Sequence, residues 1–289
     1  MTRGHEIFFS PPVSRLIDLA VEEDIGHGDI TTSALGISGR QGRAWITAKE
    51  PMVIAGLSLV PRIYERVGSL GAFQTKAEDG DFIDCPETVV AEMTGRLDTL
   101  LIGERIALNF LQRLCGIATH VRRHVDALGS SPIRLTDTRK TVPGWRVLEK
   151  YAVRVGGAFN HRMGLYDGVL IKDNHIAACG SITSAVNTVR RRISHLVRIE
   201  VETETLAQVK EAMDAGVDVI MLDNMDDAAI SEAAAQIGNG AEIEVSGRVD
   251  AGRIARLAEL GVNIVSMGAL THAARFVDLS MTVAHPGHD

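Results

Sequence analysis

The hydrophobic positions of this chain change their period part-way along. Over Pro12–Asp24 the apolar residues Val13, Leu16, Ile17, Ala20 and Val21 recur at helical spacing and share one face. Short β-like runs follow at Arg43–Ala48, Ala72–Ala77 and Thr88–Met93, with a helical stretch at Leu57–Val67 and a turn at Glu78-Asp79-Gly80-Asp81. The order strand, helix, strand, strand predicts a small α/β domain with an antiparallel component. The polar, glycine-rich stretch from Gly26 to Thr32 reads as a turn. Leu97–Leu128 reads as one long helical region, with Gly116 placed to break it.

From Ile133 onward the pattern becomes regular. β-like runs recur at Ile133–Thr136, Gly168–Ile171, Val197–Val201, Val217–Leu222, Glu242–Val245 and Asn263–Met267. Helical patterns fill the gaps, among them Ser181–Ile193, Leu206–Ala215, Asp227–Ile237 and Ala251–Leu260. Alternation of strand and helix predicts a parallel sheet, and so many regular units favour a barrel over an open sheet. Six strands do not close a barrel. It is therefore incomplete, or Thr119–Leu128 and the C-terminal segment help to close it.

Composition narrows the class. A chain of 289 residues that is 45% hydrophobic holds one large domain or two moderate ones with a sizeable core. No apolar run is long enough to span a bilayer, and the N-terminal MTRGHEIFFSPP has no signal-peptide character, so a cytoplasmic protein is expected. Cys85, Cys115 and Cys179 are scattered and form no CxxC pair; buried thiols in a reducing compartment are expected. A net charge of −7 argues against a general nucleic-acid binder.

Against that acidic background, Asp137–His175 is rich in cations: Arg139, Lys140, Arg146, Lys150, Arg154, Arg162 and Lys172. A bound anion is the simplest reason for such a cluster. Arg146, Glu149, Lys150 and Arg154 fall on the polar faces of a helix spanning about residues 144–155 and read as a solvated surface. Arg139, Lys140, His161, Arg162 and Lys172 lie outside that helix, after β-like runs or a Gly-Gly pair. Strand tips are where α/β folds hold ligands. Arg can grip a carboxylate or phosphate with two parallel hydrogen bonds, and Lys adds a point charge. A structural ion pair explains any one of these cations equally well.

The later tips carry Glu202, Asp223-Asn224, Ser246-Gly247 and Gly268-Ala269. Glu202 and Asp223 come from successive strands and suit ribose hydroxyls or Mg²⁺; Glu200, two residues earlier on the same strand face, competes with Glu202. The Ser-Gly and Gly-Ala pairs on the last two strands suit a phosphate held by backbone N–H groups. No GxxxxGK[ST] loop, GxGxxG fingerprint, HExxH or zinc-type Cys/His array occurs. Lys172 leaves open a Schiff-base lyase. A phosphate-ligand sensor on a barrel scaffold also remains open.

With those residues in view, the sequence closely resembles the quinolinate phosphoribosyltransferases (nicotinate-nucleotide pyrophosphorylases, carboxylating), a type II phosphoribosyltransferase family. The segments EDIGHGDITT, GERIALNFLQRLCGIAT, TRKTVPGWRVLEKYAVRVGGAFNHRMGLYDGVLIKDNH, IEVETET, DVIMLDN, EVSGRV and SMGALTHAARFVDLSM carry the resemblance across nearly the whole chain. It implies an α/β protein: a sandwich-like N-terminal domain over residues 1–115, with 275–289 returning to it, and an incomplete, seven-stranded barrel over 116–274. It implies transfer of phosphoribosyl from phosphoribosyl pyrophosphate to quinolinate with loss of CO₂, in NAD synthesis. Mg²⁺ is the implied cofactor, held by Glu202 and Asp223. A homodimer with shared sites, or a larger assembly such as a hexamer, is implied too.

By the same resemblance, Thr138, Arg139, His161, Arg162, Lys172 and a neighbour's Arg105 hold quinolinate. Lys140, Glu202, Asp223, Ser246, Gly247, Gly268 and His272 surround phosphoribosyl pyrophosphate. Lys140, Lys172, Glu202 and Asp223 serve the chemistry. The spacing of residues alone does not point to Arg105. A nicotinate-specific relative is the nearest alternative, but the cation count suits two carboxylates better than one. Trp145 departs from the smaller residue usual after Pro-Gly, and Val142, Phe159 and Met163 are conservative departures.

Overall fold

The computed structural model describes residues 5–247, 249 and 251–284; Arg248, Asp250 and both ends, including 285–289 of the segment expected to return to the first domain, lie outside the described residues. The chain divides into two compact units. Residues 1–122, 141–157 and 270–289 make the first, and 123–140 with 158–269 make the second.

In the first unit, α1 (Pro11–Ile25) opens on two prolines, whose missing N–H groups are not needed at a helix start, and buries Val13 and Ile17. The expected turn is partly helical. Asp29 accepts the Thr32 backbone N–H at 3.0 Å and caps a short helix, α2 (Ile30–Ala34). Then come β1 (Gln41–Ala48), β2 (Met52–Val53), α3 (Leu59–Val67), β3 (Leu70–Thr75), β4 (Phe82–Ile83) and β5 (Thr88–Arg96). Alternate residues of β1 from Gly42 on are buried, as in a strand with one face on a core. β1 pairs antiparallel with β5, and β3 with the far side of β5. The C-terminal strand Leu279–Ala284 completes this four-stranded sheet on the other edge of β1, Ala284 opposite Arg43 and Leu279 opposite Ala48.

α4 (Leu97–Leu128) runs unbroken for 32 residues, so Thr119–Leu128 is its tail and supplies no barrel strand. Gly116 does not break it. A Cβ there would sit 2.1 Å from the Arg275 carbonyl oxygen, so the glycine marks a close backbone approach. Gly116→Ala should therefore lower stability by about 1–3 kcal/mol through overpacking, although alanine is the better helix former by about 1 kcal/mol. Urea denaturation checks this, and a variant as stable as its parent would show that the segment around Arg275 yields.

Two expectations fail, the first of them in this unit. Glu149 and Lys150 of α5 (Arg146–Val155) are buried, not solvated. Glu149 Oε1 accepts from Arg113 Nη2 at 2.6 Å and from Nε at 3.1 Å, and Arg113 also donates to the Ala274 and Thr271 carbonyls. Helical spacing defines a face but does not reveal that a second layer covers it. Of the cysteines only Cys115 is buried; it receives the Ala55 N–H at 3.2 Å, and burial pushes its thiol up to about 12. Cys85 and Cys179 are exposed.

The second unit holds β6 (Arg134–Thr136), β7 (Val169–Ile171), α6 (Asp173–Cys179), α7 (Ile182–Arg190), β8 (Ile199–Thr203), α8 (Leu206–Asp214), β9 (Val219–Asp223), α9 (Asp227–Ile237), β10 (Glu242–Ser246), α10 (Ala251–Glu259) and β11 (Ile264–Ser266). Ser181, Thr205 and Asp226 cap α7, α8 and α9 through their side chains. α11 (Ala269–His272) and the C-terminal strand, β12, follow. The six strands form a parallel sheet in the order β6-β11-β10-β9-β8-β7.

A seventh position lies beside β6. Phe159 bridges Thr136 in parallel, donating to the Leu135 carbonyl at 2.8 Å and accepting from the Asp137 N–H at 3.1 Å. One bridged residue is too short for periodicity to reveal. Residues from both sheet edges, Phe159 and Thr136 at one and Gly168 and Val169 at the other, line the same cavity of about 650 Å³. The sheet is thus curled into an incomplete barrel. Its interior is charged near the N-terminal ends of the strands, where Glu242 accepts from Arg134 at 2.5 Å and from Arg198 at 2.6 Å.

Candidate active site

Sheet register places the tip residues. Asp223 on β9 is level with Ser246 on β10, Ser246 with Ser266 on β11, and Ser266 with Thr136 on β6. On β8, Glu202 is level with Met221, so it sits two residues behind Asp223. Thr138, Arg139 and Lys140 follow β6, Lys172 follows β7, and Gly247 and Gly268 follow β10 and β11. The sheet therefore brings Thr138, Arg139, Lys140, Lys172, Glu202, Asp223, Ser246, Gly247 and Gly268 to the C-terminal edge of one curled sheet. Arg105, exposed on α4, and His272, exposed at the end of α11, belong to the first unit.

Two predicted residues meet directly: Lys172 Nζ donates to Glu202 Oε2. The lysine side chain is 43% exposed and the glutamate 11%, so a ligand can reach the pair from the lysine side. Lys172 also starts α6, where its N–H donates to His175 Nδ1 at 3.0 Å. That ties the lysine backbone while its side chain reaches across to β8.

His161 and Arg162 leave the Phe159 bridge. Buried Asp137 fixes them: its carboxylate accepts from Asn160 Nδ2 at 2.6 Å and from the His161 N–H at 2.9 Å. The Arg162 N–H donates to His161 Nδ1 at 2.8 Å, and Arg162 Nη1 donates to the Gly168 carbonyl at 3.0 Å. The following loop is pinned because Asp167 accepts from the Met163 and Gly164 N–H groups at 2.7 and 2.9 Å. Burial, then the neighbouring Arg139 guanidinium, lowers the Arg162 pKa. The two guanidiniums are close enough to repel, and a bound dianion would relieve that repulsion.

His161 Nε2 turns into the barrel, 3.2 Å from Glu200 Oε2 and 3.5 Å from Glu244 Oε1. Burial pulls the imidazole pKa down, but the hydrogen bonds to Glu200 and Glu244 and their charges outweigh it and raise it to about 10. The Arg162 amide pulls the other way, since Nδ1 must keep a lone pair to accept it. In either form the proton on Nε2 faces the two carboxylates. Burial, together with the Glu244 charge, raises the Glu200 pKa. Both ring nitrogens are therefore engaged by the protein itself.

The far end of the edge has its own geometry. Asn224 adopts a left-handed conformation (φ 54°), donates Nδ2 to Asp223 Oδ2 at 2.8 Å and donates its N–H to the Ser246 carbonyl at 3.3 Å. Gly247 has φ +129°, and a Cβ on it would lie 2.9 Å from Asn224 Oδ1. Only glycine fits there, as a backbone phosphate cradle requires. Glu202 and Asp223 each have one oxygen in the bonds just described, with Lys172 and Asn224, and a second carboxylate oxygen besides. Two carboxylates from neighbouring strands fit a Mg²⁺ that takes its remaining oxygens from substrate and water.

Sequence reasoning gave the tip residues Asp137 and Asn224 no role, passed over Glu244, and weighed Glu200 only as a rival to Glu202. An acid pair at alternate positions, as in Glu242-Ile243-Glu244, ordinarily reads as a solvated strand face. A parallel-barrel assignment could have redirected it, because one face of every such strand is interior.

Family models match the chain as the N-terminal domain of quinolinate phosphoribosyl transferase over residues 29–115 and as its C-terminal domain over 117–282. A Synechocystis protein named "probable nicotinate-nucleotide pyrophosphorylase [carboxylating]" is 46% identical over 264 residues, covering 90% of this chain and 89% of its own. A Bacillus subtilis protein of the same name is 43% identical, covering 94% and 93%. The crystal structure of NadC from Streptococcus pyogenes superposes with a TM-score of 0.89 at 41% identity, covering 94% of this chain and 96% of that one.

Proposed function

The chain belongs to the quinolinate phosphoribosyl transferase family, and we propose that it joins quinolinate to the phosphoribosyl group of phosphoribosyl pyrophosphate, releasing pyrophosphate and CO₂ and leaving nicotinate mononucleotide for NAD synthesis. One observation carries the reading onto this site. The sheet edge sets an Arg139–Arg162 pair, already in mutual repulsion, near one end of a row whose other tips offer acids and glycine. A planar substrate with two adjacent carboxylates matches the first part, and a ribose phosphate matches the second.

The residues then divide the work. Arg139 and Arg162 neutralise the two carboxylates and orient the ring, so that its nitrogen faces C1 of the ribose. Thr138 adds a hydroxyl to that grip, and His161 sets the Arg162 backbone. Glu202 and Asp223 accept hydrogen bonds from the ribose hydroxyls, and Ser246, Gly247 and Gly268 surround the 5′-phosphate. Bound Mg²⁺, held by Glu202, Asp223 and substrate oxygens, would neutralise charge on the pyrophosphate. Lys140 and Lys172 present ammonium groups to the same leaving group, where negative charge grows as the C1–O bond breaks.

Attack by the ring nitrogen gives a cationic pyridinium. The 2-carboxylate then leaves as CO₂, and the electron pair of the broken C–C bond stays on a carbon next to the positive nitrogen before a proton replaces it. No covalent bond to the protein is required. We further propose a cytoplasmic homodimer in which Arg105 reaches the site of the neighbouring subunit. Among the described residues no helix is long and apolar enough to cross a membrane.

Product analysis tests the activity. With phosphoribosyl pyrophosphate and Mg²⁺, quinolinate should give nicotinate mononucleotide and CO₂ in equal amounts, and nicotinate should give no product. Turnover of nicotinate alone would mean that the arginine pair does not read two carboxylates.

A further inference from the structure

Glu200 and Glu244 fall outside every role assigned above, yet they are among the most buried charges of the second unit. Glu200 is 8% exposed and Glu244 2%. Among the described residues Glu200 Oε1 accepts no hydrogen bond, and Glu244 Oε1 faces only His161 Nε2, 3.5 Å away. Two neighbouring carboxylates so sparsely hydrogen-bonded in a barrel interior are costly, and a fold keeps such an arrangement when it serves the site. What both face is His161 Nε2–H, at 3.2 and 3.5 Å. The other ring nitrogen receives the Arg162 amide at 2.8 Å. The imidazole is thus a strut between an acid floor on β8 and β10 and the backbone from which the Arg162 side chain departs.

We propose that Glu244, together with Glu200, is a positioning residue for the dicarboxylate substrate, acting through His161 to fix where Arg162 presents its guanidinium. The inference rests on the quinolinate reading of that pocket. Glu244 does not touch the substrate. It lies level with Ile264 and Met221, two residues before the Ser246 tip, and it lines the cavity at the N-terminal end of the barrel. Its effect on the substrate must therefore pass through the ring.

A divalent metal among the same three side chains is the competing arrangement, since their ligand atoms lie within 4.8 Å of one another. Metal-bound histidine normally donates its second ring N–H to an acceptor. Here that nitrogen accepts an N–H, which leaves the proton on Nε2 where a metal would need a lone pair.

A double-mutant cycle decides. Wild type, Glu244→Gln, His161→Ala and the double variant are assayed for kcat and for KM toward each substrate. Glu244→Gln should raise the KM for quinolinate about tenfold and leave the KM for phosphoribosyl pyrophosphate within about twofold. In the His161→Ala background the same substitution should add less than about a factor of two. An equal factor in both backgrounds would overturn the proposal, as would both KM values rising together with a fall in melting temperature. So would a stoichiometric divalent metal in the purified wild type that Glu244→Gln loses. Should Glu244→Gln not fold, Glu200→Gln carries the same cycle. A wild type with no activity toward quinolinate would instead sink the functional reading, so the two failures remain distinct.

Discussion

Replacing Arg162 with alanine should lower kcat/KM for quinolinate by about two to three orders of magnitude while the protein stays folded. The estimate follows from what the side chain does. Removing one partner of a hydrogen-bonded charge pair costs about 2–5 kcal/mol, because the partner charge is left without its counterpart. Among the described residues the guanidinium gives one hydrogen bond, to the Gly168 carbonyl. Losing that bond should reduce stability by only about 1 kcal/mol. Arg162→Lys should recover little, because an ammonium has neither the planar fork nor the reach to hold both Gly168 and a carboxylate. Steady-state kinetics beside a thermal melt separates the two effects. Unchanged quinolinate kinetics in a folded Arg162→Ala protein would remove the arginine from the pocket.

How much of this was legible in the sequence differs between elements, for physical reasons. Strand–helix alternation from Ile133 onward predicted the parallel sheet, and the polar residues after each apolar run became its C-terminal edge. Lys172 and Asp223 were placed this way, because a short buried strand must end where its apolar run ends. Features without a period stayed hidden. The Phe159 bridge is one residue long, the α2 cap depends on one Asp29 side chain, and β2 and β4 are two residues each. Glu149 misled because a polar residue on a helix looks alike whether water or Arg113 covers it. Glu200 entered only as a rival to Glu202 and Glu244 not at all, because an acid on a strand looks alike whether water or His161 faces it. Arg105 and His272 came only from the family resemblance, because neither lies on a strand tip of the regular region.

Mixing Arg105→Ala subunits with Arg139→Ala subunits should restore about a quarter of wild-type activity from two nearly inactive parents. Each proposed site pairs Arg139 from one subunit with Arg105 from its neighbour. In a mixed dimer, the Arg105→Ala subunit keeps its own Arg139 and borrows an intact Arg105. The other site of that dimer lacks both. Random reassortment makes about half the dimers mixed, and half of their sites are whole. A site built within one subunit cannot be repaired this way, since each variant would carry its lesion in every site. Subunit exchange has to be verified, for instance by co-purification through a tag on one variant, before activity is read. Activity no higher than the parents in verified mixed dimers would place Arg105 outside the neighbour's site. Recovery near one quarter would place Arg105 in the neighbour's site, and its exposure on α4 leaves the side chain open to a partner.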